Sequence, residues 1–134
     1  MARIVKSIYT GSDVTSLGEL TVTDTIDGVL APTITALTDG ATITPNFATS
    51  CNFSVTLAGN RTLANPTGMV AGQSGCVVIT QDATGSRTLA YGSYFKFASG
   101  TAPTLTTTAS AVDVLVYYVE STSRITARLI NDVR

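Results

Sequence analysis

Apolar and polar residues alternate along several short stretches of the chain, and polar turns separate these stretches. In Asn52–Leu57, every second residue is apolar and the residues between are Ser or Thr. In Arg124–Ile130, Ile125, Ala127 and Leu129 share one face, and the residues between them, Thr126 and Arg128, lie on the other. A period of two is typical of a half-buried β-strand. The turns recur about every 8–12 residues, a spacing found in sandwiches and barrels, and we see no helical periodicity.

Four further segments complete the predicted strands. Cys76–Thr80 holds a continuous apolar run between turns, which is typical of a central strand covered on both faces. Val112–Glu120 is the longest largely apolar run, and a polar turn of three residues leads it back into Arg124–Ile130 as a hairpin. Two short strands are predicted at Thr88–Tyr91 and Tyr94–Phe97.

Residues 1–44 differ from the rest of the chain. Their apolar residues are scattered and Tyr9 is their only aromatic, so they cannot bury enough surface to offset the entropy of ordering them. We predict an extended N-terminal attachment arm over residues 1–44, with one or two short strands. Residues 45–134 are predicted to form an all-β, antiparallel, jelly-roll-like β-sandwich.

Charge is sparse. Charged residues make up 13% of the chain, against about 25% in an average protein, and the formal net charge is −1. A monomer usually depends on charge for solubility, so we expect a partner or further copies of the chain to cover much of the surface. No cluster of Lys and Arg is present, so nucleic acid is not an expected partner.

No apolar stretch reaches the roughly 18 residues of a membrane span, and no signal-peptide core follows the N-terminus. We therefore expect no membrane partner and synthesis in a cytoplasm.

The sequence contains no histidine, which removes the usual general base and the commonest metal ligand. Catalysis would have to use carboxylates, several of which lie in turns where Asp binds its own backbone. Asp113 instead interrupts an apolar run, which favours an ion pair or a strand start over a catalytic role. No calcium or phosphate loop is present, and we expect no enzymatic activity, metal or cofactor. The carboxylates are Asp13, Glu19, Asp24, Asp27, Asp39, Asp82, Asp113, Glu120 and Asp132.

Two cysteines allow one disulfide. Cys51 has the parity of Phe53, so its side chain should face the core. A reduced pair of core cysteines fits a cytoplasmic chain, and a bridge from Cys51 to Cys76 between neighbouring strands is the alternative.

An aromatic cluster occupies Tyr91–Phe97. Strand alternation directs Tyr94 to the face opposite Phe95 and Phe97, so only part of the cluster can face solvent. One interpretation is a core corner with a subunit interface. The other is a platform for a sugar or peptide, for which Tyr91 and Tyr94 are the surface candidates.

The residues Arg-Thr-Leu-Ala occur twice, at Arg61–Ala64 and Arg87–Ala90, each time after a polar turn. The sequence around them is similar to a β-rich module of tailed-bacteriophage virion proteins, over roughly residues 45–132. This module occurs in tail-fibre, head-fibre and capsid-decoration proteins. The resemblance implies a virion structural protein and a trimer, and it carries no catalytic residue. The segments that carry it are Leu57–Gly68, Ala71–Gly75, Ile79–Phe97, Gly100–Leu105 and Ala111–Val119.

We consider three functions. The main hypothesis is a capsid decoration or cement protein of the virion, assembled in the host cytoplasm, with the major capsid protein or another virion protein and its own copies as partners. The alternative is a tail-fibre or head-fibre module that binds host glycans or an adaptor. An enzyme such as a depolymerase is disfavoured by the missing histidine. In the cement hypothesis, apolar residues of the arm contact the capsid or another subunit: Ile4, Val5, Ile8, Tyr9, Leu17 and Leu20.

Overall fold

The computed structural model describes residues 32–133, and their regular secondary structure is almost entirely β-strand. They form nine strands and one 3-10 turn at Ala98–Gly100. The strands are β1 (Ile34–Ala36), β2 (Thr42–Ile43), β3 (Asn52–Leu57), β4 (Arg61–Leu63), β5 (Ser74–Gln81), β6 (Leu89–Tyr91), β7 (Phe95–Lys96), β8 (Val112–Ser121) and β9 (Arg124–Ile130).

The strands build two sheets. One sheet has six strands in the order β1-β3-β5-β8-β9-β7, and the other has three in the order β2-β4-β6. From β1 to β6 the chain alternates between the two sheets, and neighbouring strands within each sheet are parallel. The chain therefore winds through three stacked turns, each of which adds one strand to each sheet, as in a parallel β-solenoid.

A hairpin ends this winding. β8 pairs antiparallel with β5 and with β9, which extends the six-stranded sheet by two long strands. β7 then pairs in parallel with β9, but only at Phe95 and Lys96, opposite Ile125 and Thr126. Most of β9 therefore continues past the end of β7.

The core lies on the inward face of both sheets. One buried row crosses the six-stranded sheet from Phe53 to Val77 and Leu115, and then to Leu129. Ile43, Leu63 and further apolar residues join the same buried cluster. Full burial of an apolar side chain of this size contributes about 1.5–3 kcal/mol, so this cluster is the main source of stability.

Four predicted features are confirmed. β3 has the predicted bounds, Asn52–Leu57, and alternates as expected. Val112–Glu120 and Arg124–Ile130 form the predicted hairpin. Cys76–Thr80 lies in β5, a central strand, although its outward face is only half-buried. Two short strands occur within Thr88–Tyr91 and Tyr94–Phe97.

The antiparallel jelly-roll prediction is wrong. Within residues 32–133, five of the seven strand pairings are parallel, and only β5–β8 and β8–β9 are antiparallel. The period of two reports which face of a strand is buried and carries no information on strand direction. Parallel neighbours need a crossover connection. Here the crossovers pass through the second sheet, so each one looks like another short strand in the sequence.

Part of the predicted arm lies in the sheets. β1, at Ile34–Ala36, pairs in parallel with β3, and β2, at Thr42–Ile43, pairs in parallel with β4. The attachment arm thus stays a prediction for residues 1–31, which lie outside the described residues, as do its six contact candidates.

Cys51 and Cys76 are free and half-buried. Cys51 precedes β3, and its carbonyl oxygen accepts a hydrogen bond of 2.5 Å from the Tyr117 hydroxyl. The cysteine predicted to face the core is thus only half-buried, and its backbone carbonyl makes the contact with β8.

Candidate functional site

A tight corner between β6 and β7 positions the aromatic cluster. The Gly92 N–H donates to the Leu63 carbonyl at 2.8 Å, and the Tyr94 N–H donates to Asn65 Oδ1, also at 2.8 Å. A Cβ on Gly92 would lie 2.3 Å from Asn65 Oδ1, so this corner requires glycine. The chain therefore turns between Gly92 and Phe95, and Phe95 begins β7, which pairs with β9 in the six-stranded sheet.

The rings of the cluster pack against one another. Tyr91 meets Phe97 edge to face with ring centroids 4.7 Å apart, and it meets Phe95 in the same way at 6.0 Å. Phe95 is buried, whereas Tyr91, Tyr94 and Phe97 are half-buried against the core. Edge-to-face pairs of this kind hold the rings in place. The two candidates Tyr91 and Tyr94 are therefore partly covered.

Two open grooves flank the cluster. The first, the β7 groove, has a volume of about 570 Å³ and is lined by Tyr91, Phe95 and neighbouring residues. The second, the β9 groove, has a volume of about 520 Å³ and lies between the 3-10 turn and β9. Lys96, Phe97 and Arg124 line both grooves. Volumes of this order are typical of small-ligand sites.

Positive charge gathers at these grooves. Arg124 Nε donates to Glu120 Oε2 at 2.8 Å, and the Thr126 hydroxyl also donates to Glu120. The hydrogen bond from Thr126, followed by the one from Arg124, holds the pKa of Glu120 below its usual value. Lys96 Nζ donates to the Ser93 carbonyl at 2.7 Å, and the exposed Arg128 lines the β9 groove. The grooves are thus lined by three cations, one of which, Arg124, is paired with Glu120.

Two further carboxylates, those of Asp39 and Asp82, have structural roles. Asp39 binds Arg61 with two hydrogen bonds of 2.6 and 2.8 Å. Asp82 accepts hydrogen bonds from the two backbone N–H groups that follow Ala83, and it also binds Arg87. These arginine contacts are the leading reason why the pKa values of both aspartates are lowered. Each arginine of the Arg-Thr-Leu-Ala repeat therefore pairs with an aspartate in a loop that connects the two sheets.

Asp113, the second residue of β8, is 2% exposed and binds two backbone N–H groups, as its predicted strand-start position allows. In residues 32–133 no group of three or more potential metal ligands comes together. Within the same residues, no helix is long and apolar enough to cross a membrane.

Tyr91 and Tyr117 form a matched pair for mutation. The Tyr91 hydroxyl is buried without a hydrogen-bond partner among the described residues, and burial, followed by the charge of Asp113, raises its pKa to about 12. Burial also raises the pKa of Tyr117, whose hydroxyl binds the Cys51 carbonyl. The two hydroxyls therefore differ chiefly in whether they have a partner.

Tyr91→Phe should leave the free energy of unfolding unchanged or raise it by up to about 1 kcal/mol, because it removes an unsatisfied polar group. Tyr117→Phe should lower it by about 1–2 kcal/mol, because it removes a hydrogen bond. Urea unfolding of both variants measures the difference. Equal loss of stability in the two variants would contradict this assignment of partners.

The sequence profile of a family described as "Putative phage tail fibre C-terminal domain" matches residues 43–120, more than half of the chain. The chain belongs to this family. The match runs from the end of β2 to the penultimate residue of β8, so it includes the β6–β7 corner. The match confirms the resemblance to phage virion modules. The chain is therefore a structural protein of the phage virion. No curated protein and no solved structure matches the chain.

Sequence reasoning found the aromatic cluster of the tail-fibre domain but not its basic neighbours. Alternation in Arg124–Ile130 already placed Thr126 and Arg128 on the outward face. Nothing in the pattern indicated that β7 would lie in parallel beside β9, and this pairing is what brings Lys96 to Arg124 at one groove.

Proposed function

We propose that the chain is the receptor-binding module of a tail fibre, that it has no enzymatic activity, and that its β7 and β9 grooves bind a glycan of the host surface. The family match supports the fibre alternative better than the capsid-decoration hypothesis. The observation that carries the glycan assignment is the pair of grooves on either side of Phe97. Such grooves combine an aromatic surface, on which a sugar ring can stack, with polar groups that orient it.

We also propose that the module works as a homotrimer, and the outward face of the six-stranded sheet supports self-association. Val78, Val114 and Ile130 are cross-strand neighbours on this face. The two valines are half-buried, and Ile130 is 49% exposed. Apolar rows that stay partly exposed are typical of surfaces that meet a protein partner. Burial of this row between copies would also account for the low surface charge.

The glycan assignment predicts that the intact, full-length protein binds host surface polysaccharide, and that Phe97→Ala weakens this binding at least fivefold. The reason is that the alanine variant loses the aromatic face shared by both grooves. A glycan array, followed by titration of the bound oligosaccharide, measures the effect. Light scattering of the same sample should give three times the mass of the chain.

Val70→Ala is the matched control, because Val70 is 62% exposed and lines neither groove. It should bind as the unchanged protein does. Equal binding by the Phe97 and Val70 variants would contradict the grooves as the glycan site. Cryo-electron microscopy of the virion tests the location: density on the capsid lattice would overturn the fibre assignment in favour of the cement hypothesis.

A further inference from the structure

Three of the five basic residues in the described part of the chain have their charge neutralised. Arg61, Arg87 and Arg124 each form an ion pair with a carboxylate. Lys96 and Arg128 have no carboxylate partner among residues 32–133. Both of these residues line the β9 groove. The unneutralised positive charge of the described residues is therefore concentrated at one groove.

The lysine retains donors for a ligand. Its Nζ uses one hydrogen bond on the Ser93 carbonyl, and an ammonium group has three donors. The guanidinium of Arg128 has five donors, and its planar shape fits a carboxylate or a phosphate with two parallel hydrogen bonds. The nearby carboxylate of Glu120 is engaged by Arg124 and Thr126, so it leaves these donors to an incoming anion.

The rest of the groove is suited to a sugar ring. Phe97, Pro103 and Leu129 supply apolar surface, and the exposed Thr101 supplies a hydroxyl. A saccharide has apolar C–H faces and a rim of hydroxyl groups, so it can use both kinds of surface at once. Two free cations are few for a nucleic acid, whose affinity depends on the neutralisation of many phosphates.

We propose that the glycan bound in the β9 groove is anionic, and that Lys96 and Arg128 contact its carboxylate or phosphate group. This inference rests on the proposed function, because it names the chemical class of ligand for the same surface. The carboxylate of an acidic sugar and the phosphate of a sugar phosphate share the chemistry that the two cations recognise.

The test is titration of the intact protein with three labelled oligosaccharides of equal length: a neutral hexose oligomer, a hexuronic acid oligomer and a phosphodiester-linked sugar oligomer. We expect at least one anionic oligomer to bind about tenfold or more tightly than the neutral one, and to lose affinity in high salt. Lys96→Gln and Arg128→Gln should each weaken that binding about tenfold. The oligomer that binds identifies the anionic group.

Arg61→Gln is the charge-matched control, because it removes the same charge from a residue that lines neither groove. The Arg61→Gln variant should keep full affinity. Thermal unfolding of every variant checks that the fold is retained. Tight binding of the neutral oligomer, unaffected by the groove variants, would overturn this inference and leave the proposed function in place. Absence of binding by all three oligomers would overturn both. Equal binding of polyglutamate would show recognition of charge without sugar and overturn the saccharide assignment.

Discussion

Gly75→Ala should lower the free energy of unfolding by about 2–4 kcal/mol, because Gly75 lies where the backbone before β3 comes very close to β5. A Cβ at this position would lie 1.8 Å from the Cys51 carbonyl oxygen and 2.9 Å from the Tyr117 hydroxyl oxygen. These are the two atoms that share the 2.5 Å hydrogen bond. The added methyl group must therefore displace backbone and break this bond, so overpacking and a lost hydrogen bond both contribute.

Thermal and urea unfolding measure the loss, and for a fold of about 100 residues it corresponds to a fall in Tm of roughly 10–20 °C. Gly40→Ala is the matched control. Its Cβ would meet only the Thr42 carbonyl oxygen, at the ordinary distance of 3.7 Å, and Gly40 has no left-handed backbone conformation. We expect its Tm to stay close to that of the unchanged protein. Similar Tm values for the two variants would contradict the close approach at Gly75.

The strands of this fold were largely predictable from the sequence, because burial on one face imposes a period of two. The alternation in Asn52–Leu57 and Arg124–Ile130 gave strands with the correct bounds. The hairpin that contains Arg124–Ile130 was also predictable, since a turn of only a few residues can join only antiparallel neighbours. These features depend on residues that are close in sequence.

The parallel pairings were not predictable from the same pattern. Phe53 lies beside Val77, 24 residues later in the chain, and the intervening β4 contributes to the other sheet. The Arg-Thr-Leu-Ala repeat suggested regularity, but its two copies are offset in the three-stranded sheet: Arg61 is paired with Leu89 rather than with Arg87. Even this repeat therefore did not reveal which residues are neighbours.

Part of the candidate site was predictable from the sequence and part was not. The aromatic residues lie within one short segment, so the sequence alone located the cluster. The basic groove combines Lys96 with Arg128, and both residues line it because β7 pairs in parallel with Ile125 and Thr126, the second and third residues of β9. A site assembled by one short long-range pairing leaves no local signal, and the fold was needed to find it.

Substitution of the buried Asp113 should destabilise the fold as much as substitution of Gly75. We expect Asp113→Asn to lower the free energy of unfolding by about 2–4 kcal/mol. One carboxylate oxygen of Asp113 accepts the Thr106 N–H at 2.7 Å, and the other accepts the Asp132 N–H at 2.7 Å. The side chain thus joins the loop before β8 to the segment after β9. An asparagine of the same shape has one acceptor oxygen and an NH₂ group, which cannot accept from a second N–H.

The variant must therefore lose one charge-assisted hydrogen bond, weaken the other and place an NH₂ group against an N–H group at a buried position. Urea unfolding measures the loss, and hydrogen exchange should become faster at the amides of Thr106 and Asp132. Glu120→Gln is the matched control, because it makes the same chemical change at an exposed carboxylate and should shift Tm much less. If Asp113→Asn proved as mild as Glu120→Gln, the carboxylate could not be the group that fastens both segments to β8.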